Sequence, residues 1–413
     1  MIRAVKGTRD ILPPSSGVWN DVEHRARDVF RAYNYHEIRT PIFEETLLFA
    51  RGVGEETDIV TKEMYTFEDK DGSSLTLRPE CTASVIRAYI EHRLDQQPGT
   101  MKLYYMGPMF RRERPQKGRY RQFYQIGAEA IGSESPAVDA EVIELAVEIL
   151  SRAGLAGFRL LLNSVGCSEC RPKFLAALRE ELRKVSSSLC ADCRRRAETN
   201  PLRVLDCKVE ADQPVIESLP SILDYLCVAC REHFETVRGY LQDREIAFEV
   251  RPRLVRGLDY YMRTTFEITH GALGAQNSVL GGGRYDGLAE ALGSKVHSPG
   301  IGFSIGEDRL VLTLEESNTG AGTRALDLFV VPLGEAAFRK VAPLARRLRL
   351  SGKSVEVVAD ARLKRALELA NKTGARFALI VGDDEIAAGT FQLKDMTSGG
   401  RQTVNESELF ERL

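Results

Sequence analysis

At 413 residues the chain is too long for one hydrophobic core and should divide into two or three domains of roughly 100–200 residues each. Its 43% apolar and 28% charged content is that of an ordinary globular protein, and a formal net charge of −2 leaves no global positive field, so nucleic acid would have to be held by local patches. No apolar run approaches the ~20 residues that span a bilayer, and Met1 to Pro14 lacks an apolar signal core, which argues against a membrane protein and predicts a cytoplasmic one.

In chain order, Val18, Val22, Ala26, Val29, Phe30 and Tyr33 recur at helical spacing and predict an amphipathic helix over 17–33. An extended stretch from Ile38 to Phe43 contains Pro41. A helix is expected from Thr82 to Arg93, then two antiparallel strands, Met101–Phe110 and Arg119–Gly127, joined by a long basic tip. Another helix covers 136–152 and a strand 157–163. From 167 to 240 cysteine pairs and helical periodicity predict an inserted helical module. Strand-like segments return at 246–270 and 276–281. Gly281 to Gly283 predict a turn opening a helix Tyr285–Leu292, and a strand or turn at 299–306 precedes a helix from Glu307. The polar stretch 315–324 suits a linker. Beyond it, strand 326–332, helix 335–350, strand 354–358, helix 362–373 and strand 377–381 predict a small α/β domain with a mostly parallel sheet.

Four segments carry chemistry. Between 111 and 121 stand six cations and one acid, Glu113, with Phe123 just beyond. An isolated basic run is more often a solvated loop, but here it caps a hairpin. Arginine's planar fork suits phosphate oxygens, and strand residues two apart share a face, so Arg111 and Glu113 could address one ligand while Phe123 stacks on it. The second segment is Arg256-Gly257-Leu258-Asp259-Tyr260-Tyr261, which alone could equally be a buried strand end. The third, Gly281-Gly282-Gly283-Arg284-Tyr285-Asp286, brings backbone close to a ligand or turns the chain. The fourth runs from Pro299 to Arg309, whose cation in a first helical turn opposes the helix dipole and so favours a ligand role.

In order and spacing these four segments resemble the histidyl-tRNA synthetases of class II, from Lys6-Gly7-Thr8-Arg9-Asp10 to the C-terminus. Arg111-x-Glu113 with Phe123 looks like the second class motif, Gly302 to Arg309 like the third, and the first helix with Pro41 like the first, which in that class builds the dimer interface. The 256–261 and 282–286 segments resemble the two signatures particular to the histidine enzyme. Two departures occur: Ser304 replaces the central glycine of the third motif, and Glu307 takes a usually apolar position.

The resemblance implies an α+β fold. An antiparallel-sheet catalytic domain would be split over 1–166 and 241–318, a helical insertion would span 167–240, and an α/β anticodon-binding domain 325–413. It implies a homodimeric ligase that activates L-histidine with ATP and Mg²⁺ and transfers it to the 3′ end of tRNA(His). Glu80, Thr82 and Gln125 should hold the α-amino cation, with Cys81 between them as packing. Glu129 and Tyr261 should read the imidazole, Tyr285 close the pocket and Tyr260 shape it. A site that hydrogen-bonds both ring nitrogens can reject apolar amino acids by ~10⁴–10⁵, because its own polar groups would be left unpaired. Arg111 should bind the α-phosphate, Glu113 the adenine amino group and Arg119 the outer phosphates, while Phe123 and Arg309 sandwich the base. Arg256 is the expected catalytic cation. Arg114 and Gln116 match positions that approach the acceptor end of tRNA.

Seven of the eight cysteines fall between Cys167 and Cys230. Cys167-x-x-Cys170, Cys190-x-x-Cys193 and Cys227-x-x-Cys230 could supply a four-thiolate structural zinc site, with Cys207 nearby, or stand as reduced thiols. The other functional reading is a non-catalytic, synthetase-like regulatory subunit of ATP phosphoribosyltransferase. Such proteins typically lack the C-terminal domain and several ATP contacts, whereas this chain keeps Arg111, Glu113, Arg256 and Arg309 and continues past 325.

Overall fold

The helical spacing near the start is realised in α1 (Ser15–Ala32), whose Trp19, Val22, Ala26, Val29 and Phe30 lie along one buried stripe. The computed structural model describes residues 2–55, 57–273, 277–317, 326–359 and 362–413. After α1 come β1 (His36–Glu37), β2 (Phe43–Glu45), α2 (Thr46–Val53), β3 (Tyr65–Glu68), β4 (Ser74–Leu77) and α3 (Thr82–Glu91). Strands β5 (Met101–Phe110) and β6 (Gln122–Ile131) form the long hairpin, then α4 (Pro136–Ala153) and β7 (Arg159–Ser164). The insertion is helical, with α5 (Cys170–Val185), α6 (Ala191–Thr199), α7 (Gln213–Ser218) and α8 (Val228–Asp243). The chain returns through β8 (Glu249–Val250), β9 (Met262–Thr269), β10 (Ser278–Arg284), α9 (Leu288–Ala291), β11 (Gly300–Gly306) and α10 (Glu307–Glu316).

Eight of these strands form one sheet in the order β1-β5-β6-β11-β10-β9-β7-β8. The outer pairs β1–β5 and β7–β8 are parallel, and every inner neighbour is antiparallel. One face is covered by α1, α4, α8 and α10, whose Phe30, Ile143, Val237 and Leu310 join Ile126, Phe266 and Ile301 of the sheet in one core. The other face carries a smaller cluster with α3 and α9 and otherwise stays open.

Three expectations change. Gly281 to Gly283 make no turn: they are the middle of β10, paired on both sides with β9 and β11. A strand with no side chains can have neighbouring side chains laid across it, and that is how these glycines are used. Strand β6 starts at Gln122, not Arg119, because residues 111–121 form the irregular tip. Glu315 and Glu316 belong to α10 rather than to a linker, and residues 318–325 of the expected linker lie outside the described residues.

The second compact unit is Ala321–Leu413. It runs β12 (Leu328–Pro332), α11 (Glu335–Leu350), β13 (Val355–Val357), α12 (Leu363–Lys372), β14 (Phe377–Val381), α13 (Asp383–Ala388), β15 (Phe391–Asp395), β16 (Arg401–Val404) and α14 (Glu406–Arg412). Sheet order is β13-β12-β14-β15-β16, with the first three strands parallel and the last two added antiparallel. Its alternating strand residues fill two cores: Leu328 and Val330 on one face, Phe329 and Val331 on the other.

Candidate active site

The two-residue period of the sheet separates site from core. On β6, Ile126, Ala128 and Ala130 enter the helix-side core, so Phe123, Gln125 and Glu129 face the open side. On β11, Ile301, Phe303 and Ile305 do the same, leaving Gly302, Ser304 and Gly306 on the open side. The glycines make room. A Cβ at Gly302 would overlap the Glu129 carboxylate, one at Gly281 the Arg256 guanidinium, and one at Gly283 would come within 2.8 Å of the Tyr261 ring.

The resulting cleft holds about 1130 Å³ and is lined by Glu80, Thr82, Arg111, Glu113, Arg119, Phe123, Gln125, Arg256, Tyr260, Tyr261, Tyr285 and Arg309. Glu129 lies beneath its polar end and is almost wholly buried. Thr82 Oγ1 donates to Glu129 Oε1 at 2.7 Å and the Tyr285 hydroxyl to Oε2 at 2.6 Å. Burial pushes the Glu129 carboxyl up to about 8 even against these two donors. Both Glu80 oxygens accept backbone N–H groups of the first turn of α3, Thr82 at 2.7 Å and Ala83 at 3.0 Å. Burial raises the Glu80 carboxyl while those donors pull it the other way. Gln125 donates from Nε2 to Ser304 Oγ at 3.3 Å, while its Oε1 is buried without a partner. That leaves an acceptor aimed at nothing in the protein. The Tyr260 and Tyr261 rings pack at 4.7 Å, and Tyr260 meets Tyr285 edge-on at 6.0 Å. Cys81 turns away: it is fully buried behind the site, its Sγ 3.5 Å from Thr40 Oγ1.

At the cationic end, Arg111 sits just past β5 rather than within it. Its Nε donates to the Pro79 carbonyl at 2.8 Å and its guanidinium lies 5.3 Å from the Phe123 ring centre. Glu113 joins Arg119 at 2.9 Å and Arg111 at 3.9 Å. Arg309 donates to the carbonyls of Ser278 at 2.7 Å and Gly118 at 3.3 Å, which fix the cation in the first turn of α10. Burial and then the charge of Arg119 pull the Arg309 pKa down. Arg256 reaches Glu267 at 3.4 Å, and its Nε is buried without a partner. Burial opposes charge on Arg256, but Glu267 together with Tyr261, Asp206 and Tyr260 outweighs it, so its pKa lies above the ordinary value. Arg114 and Gln116 are exposed on the hairpin tip, where Gln116 and Arg119 exchange backbone hydrogen bonds.

Sequence reasoning missed two cleft residues. Glu267, the partner of Arg256, is on β9, where alternation with the buried Phe266 and Ile268 was the available signal. Arg203 enters from the inserted helices, and a Cβ at Gly257 would lie 2.9 Å from its Nη1. No local signal marks it, because the contact spans more than fifty residues of chain. The cysteines are all free. Seven of them gather, as Cys167, Cys170, Cys227 and Cys230 in one group, and as Cys190, Cys193 and Cys207 with Asp212 in another. Sequence spacing offered three pairs and no basis for combining them.

Comparison with known proteins gives a consistent set of likenesses. A family model described as histidyl-tRNA synthetase matches residues 7–310, and one described as anticodon binding domain matches 327–413. The histidine–tRNA ligase of Solibacter usitatus is 71% identical over 413 residues, covering 100% of this chain and 99% of its own. That of Koribacter versatilis is 56% identical over 422 residues, covering 99% and 95%. The crystal structure of the apo Staphylococcus aureus histidyl-tRNA synthetase aligns with a TM-score of 0.82 at 40% identity, covering 100% of this chain and 99% of that one.

Proposed function

The chain belongs to the histidyl-tRNA synthetase family and is a histidine–tRNA ligase, and from that premise we propose how its cleft divides between the two small substrates. The observation that carries this reading is the polarity of the cleft. A buried carboxyl, tyrosines and an unpartnered carbonyl oxygen occupy one end, Arg111, Arg119 and Arg309 line the other, and Arg256 stands between them, beside Glu267 and Tyr261.

Histidine enters the first end. Its ammonium is a donor-only cation, which suits Gln125 Oε1, the Thr82 hydroxyl and the remaining lone pairs of Glu80. Its imidazole meets Glu129 and Tyr261, under Tyr285 and Tyr260. ATP lies bent across the second end, with the adenine between Phe123 and Arg309 and its amino group on Glu113. The α-phosphate meets Arg111, and the outer phosphates meet Arg119. Mg²⁺ generally accompanies ATP in this family; hard oxygen donors suit it, and Glu113 and Glu267 are the carboxylates beside the arginines. When bound it would neutralise charge on the departing pyrophosphate.

A histidine carboxylate oxygen then attacks the α-phosphorus in line as the bond to the bridging oxygen breaks, giving histidyl-adenylate and pyrophosphate. The terminal ribose hydroxyl of tRNA attacks the acyl carbon next, releasing AMP. Arg256, held by Glu267, supplies fixed positive charge to the pentacoordinate transition state, a chemistry of positioning and charge more than of acid or base. Exposed Arg114 and Gln116 would guide the acceptor end, and the 327–413 unit the anticodon. A homodimeric assembly and a cytoplasmic location complete the proposal; among the described residues no helix is long and apolar enough to cross a membrane.

The regulatory-subunit alternative is set aside, because ligases match over the whole chain and the anticodon-binding model covers its C-terminal part. Exchange of labelled pyrophosphate into ATP tests the reading. It should depend on histidine, and equal exchange with other amino acids, or none with histidine, would refute it.

A further inference from the structure

Seven cysteines and one aspartate of the inserted helices take no part in that chemistry, yet they meet in two groups of four whose ligand atoms all lie within 4.8 Å of one another. In the first, Cys167 and Cys170 stand at the entry to α5, and Cys227 and Cys230 at the entry to α8. Cys167 Sγ lies 3.6 Å from Cys170 Sγ and 3.9 Å from Cys227 Sγ. Thiolates at the corners of a tetrahedron, each about 2.3 Å from a zinc ion, stand about 3.8 Å apart. A disulfide would need about 2.05 Å, and an iron–sulfur cluster, with several metal atoms between its ligands, a wider cage. The spacing fits one mononuclear ion.

In the second group Asp212 Oδ2 lies 3.4 Å from Cys207 Sγ. A sulfur–oxygen edge of a mixed zinc tetrahedron is about 3.6 Å. Backbone donors also point at the sulfurs: Cys227 N–H at Cys170 Sγ, 3.1 Å, and Cys193 N–H at Cys190 Sγ and Val209 N–H at Cys207 Sγ, both 3.4 Å. Such donors are stabilising where the acceptor is a charged thiolate. The module has reason to need a staple. Its core is a separate small cluster around Phe174, Leu178 and Ile216, in which the cysteines themselves are a large share of the buried side chains.

We infer that the inserted helices carry two structural zinc ions, one held by Cys167, Cys170, Cys227 and Cys230, the other by Cys190, Cys193, Cys207 and Asp212. Four protein ligands at each leave no open position for catalysis. The first ion sits directly behind the histidine end of the cleft: Arg171, next to Cys170, donates to the Tyr261 carbonyl, and the Gly166 carbonyl accepts from Arg263 N–H at 2.8 Å. The second stabilises the wall that carries Arg203.

Elemental analysis of the full chain, expressed with zinc and purified without chelator, tests this independently of ligase activity. Wild type should hold about two zinc per chain, and Cys227→Ser with Cys230→Ser, or Cys193→Ser with Cys207→Ser, about one. Should either pair fail to fold, an organomercurial thiol reagent should release about two equivalents from wild type to a chromogenic chelator. A wild-type content below about a tenth of an equivalent, iron in zinc's place, a single ion, or a folded pair variant that keeps both would overturn the inference.

Discussion

The Arg256 guanidinium occupies the space where any side chain at position 281 would begin: a Cβ on Gly281 overlaps Arg256 Nη2. The arginine comes from the irregular segment before β9 and the glycine from the middle of β10, so the strand is bare to let the cation lie flat on the sheet. Gly281 has no left-handed φ, and the overlapped atoms are the tip of a flexible side chain. Gly281→Ala should therefore fold normally but displace the guanidinium. Histidine-dependent pyrophosphate exchange is expected to fall ~10²–10³-fold in this variant and at least as far in Arg256→Ala. Full activity in a folded Gly281→Ala protein would place the catalytic charge elsewhere.

Tyr261 packs against Tyr260 at the polar end of the cleft. Tyr261→Phe keeps the ring and removes one hydrogen-bonding group, a loss of about tenfold in affinity when a buried partner is left unpaired. The KM for histidine should rise by that order while the KM for ATP stays near wild type. Equal loss of both would make the tyrosine a structural residue.

Glu129 should show itself in the pH dependence of stability. Burial raises its carboxyl from 4.5 to about 8 in the folded chain. Below the unfolded value both states are protonated and the difference is nil. Between roughly 4.5 and 8 the unfolded chain ionises while the folded one stays neutral, so this group withdraws stability as pH rises, and above about 8 the loss is complete. Glu129→Gln cannot ionise. Its Tm minus that of wild type should climb from pH 5 to 8 and level off beyond, in the absence of histidine. A difference independent of pH would contradict a neutral buried carboxyl.

Arg284, in the same signature as the glycines, belongs to the fold rather than to the substrates. It is fully buried and donates to Asp139 at 2.7 Å and Asp286 at 3.0 Å, while His233 meets the other Asp139 oxygen at 2.8 Å. This joins β10, α4 and the inserted α8. Arg284→Ala strands a buried aspartate without its cation and should cost about 3–5 kcal/mol in urea unfolding. A loss under ~1 kcal/mol would show that the network relaxes or hydrates.

Local pattern was enough for what depends on neighbours in sequence. Helical spacing located α1 and α4, and the basic run correctly marked the tip of the β5–β6 hairpin. It failed where a residue's meaning is set by another far along the chain. Gly281 to Gly283 look like a turn until Arg256, Phe266 and Tyr261 are seen lying across them. Cys167 and Cys170 find their partners fifty-seven residues beyond Cys170, at Cys227, not in the nearer Cys190 pair. Gln125 was assigned by resemblance, but only the fold reveals that its oxygen lacks a partner.

Glu307, at the usually apolar position, is fully buried at the start of α10 with neither carboxylate oxygen hydrogen-bonded. Its pKa is raised well above the ordinary value, by burial first and then by the charges of Glu23 and Asp308. As for Glu129, a raised carboxyl costs the fold nothing below its unfolded pKa and withdraws stability as pH rises toward the folded value. Above the ordinary carboxylate range the side chain is therefore a burden, unpartnered and desolvated. Glu307→Leu, of similar volume, should gain about 1–3 kcal/mol at pH 8. The gain should shrink toward pH 4.5, where the unfolded chain also holds the proton. Thermal melts of both proteins across that range check it, and a gain that instead grows on acidification would mean Glu307 is ionised and paired in the folded chain.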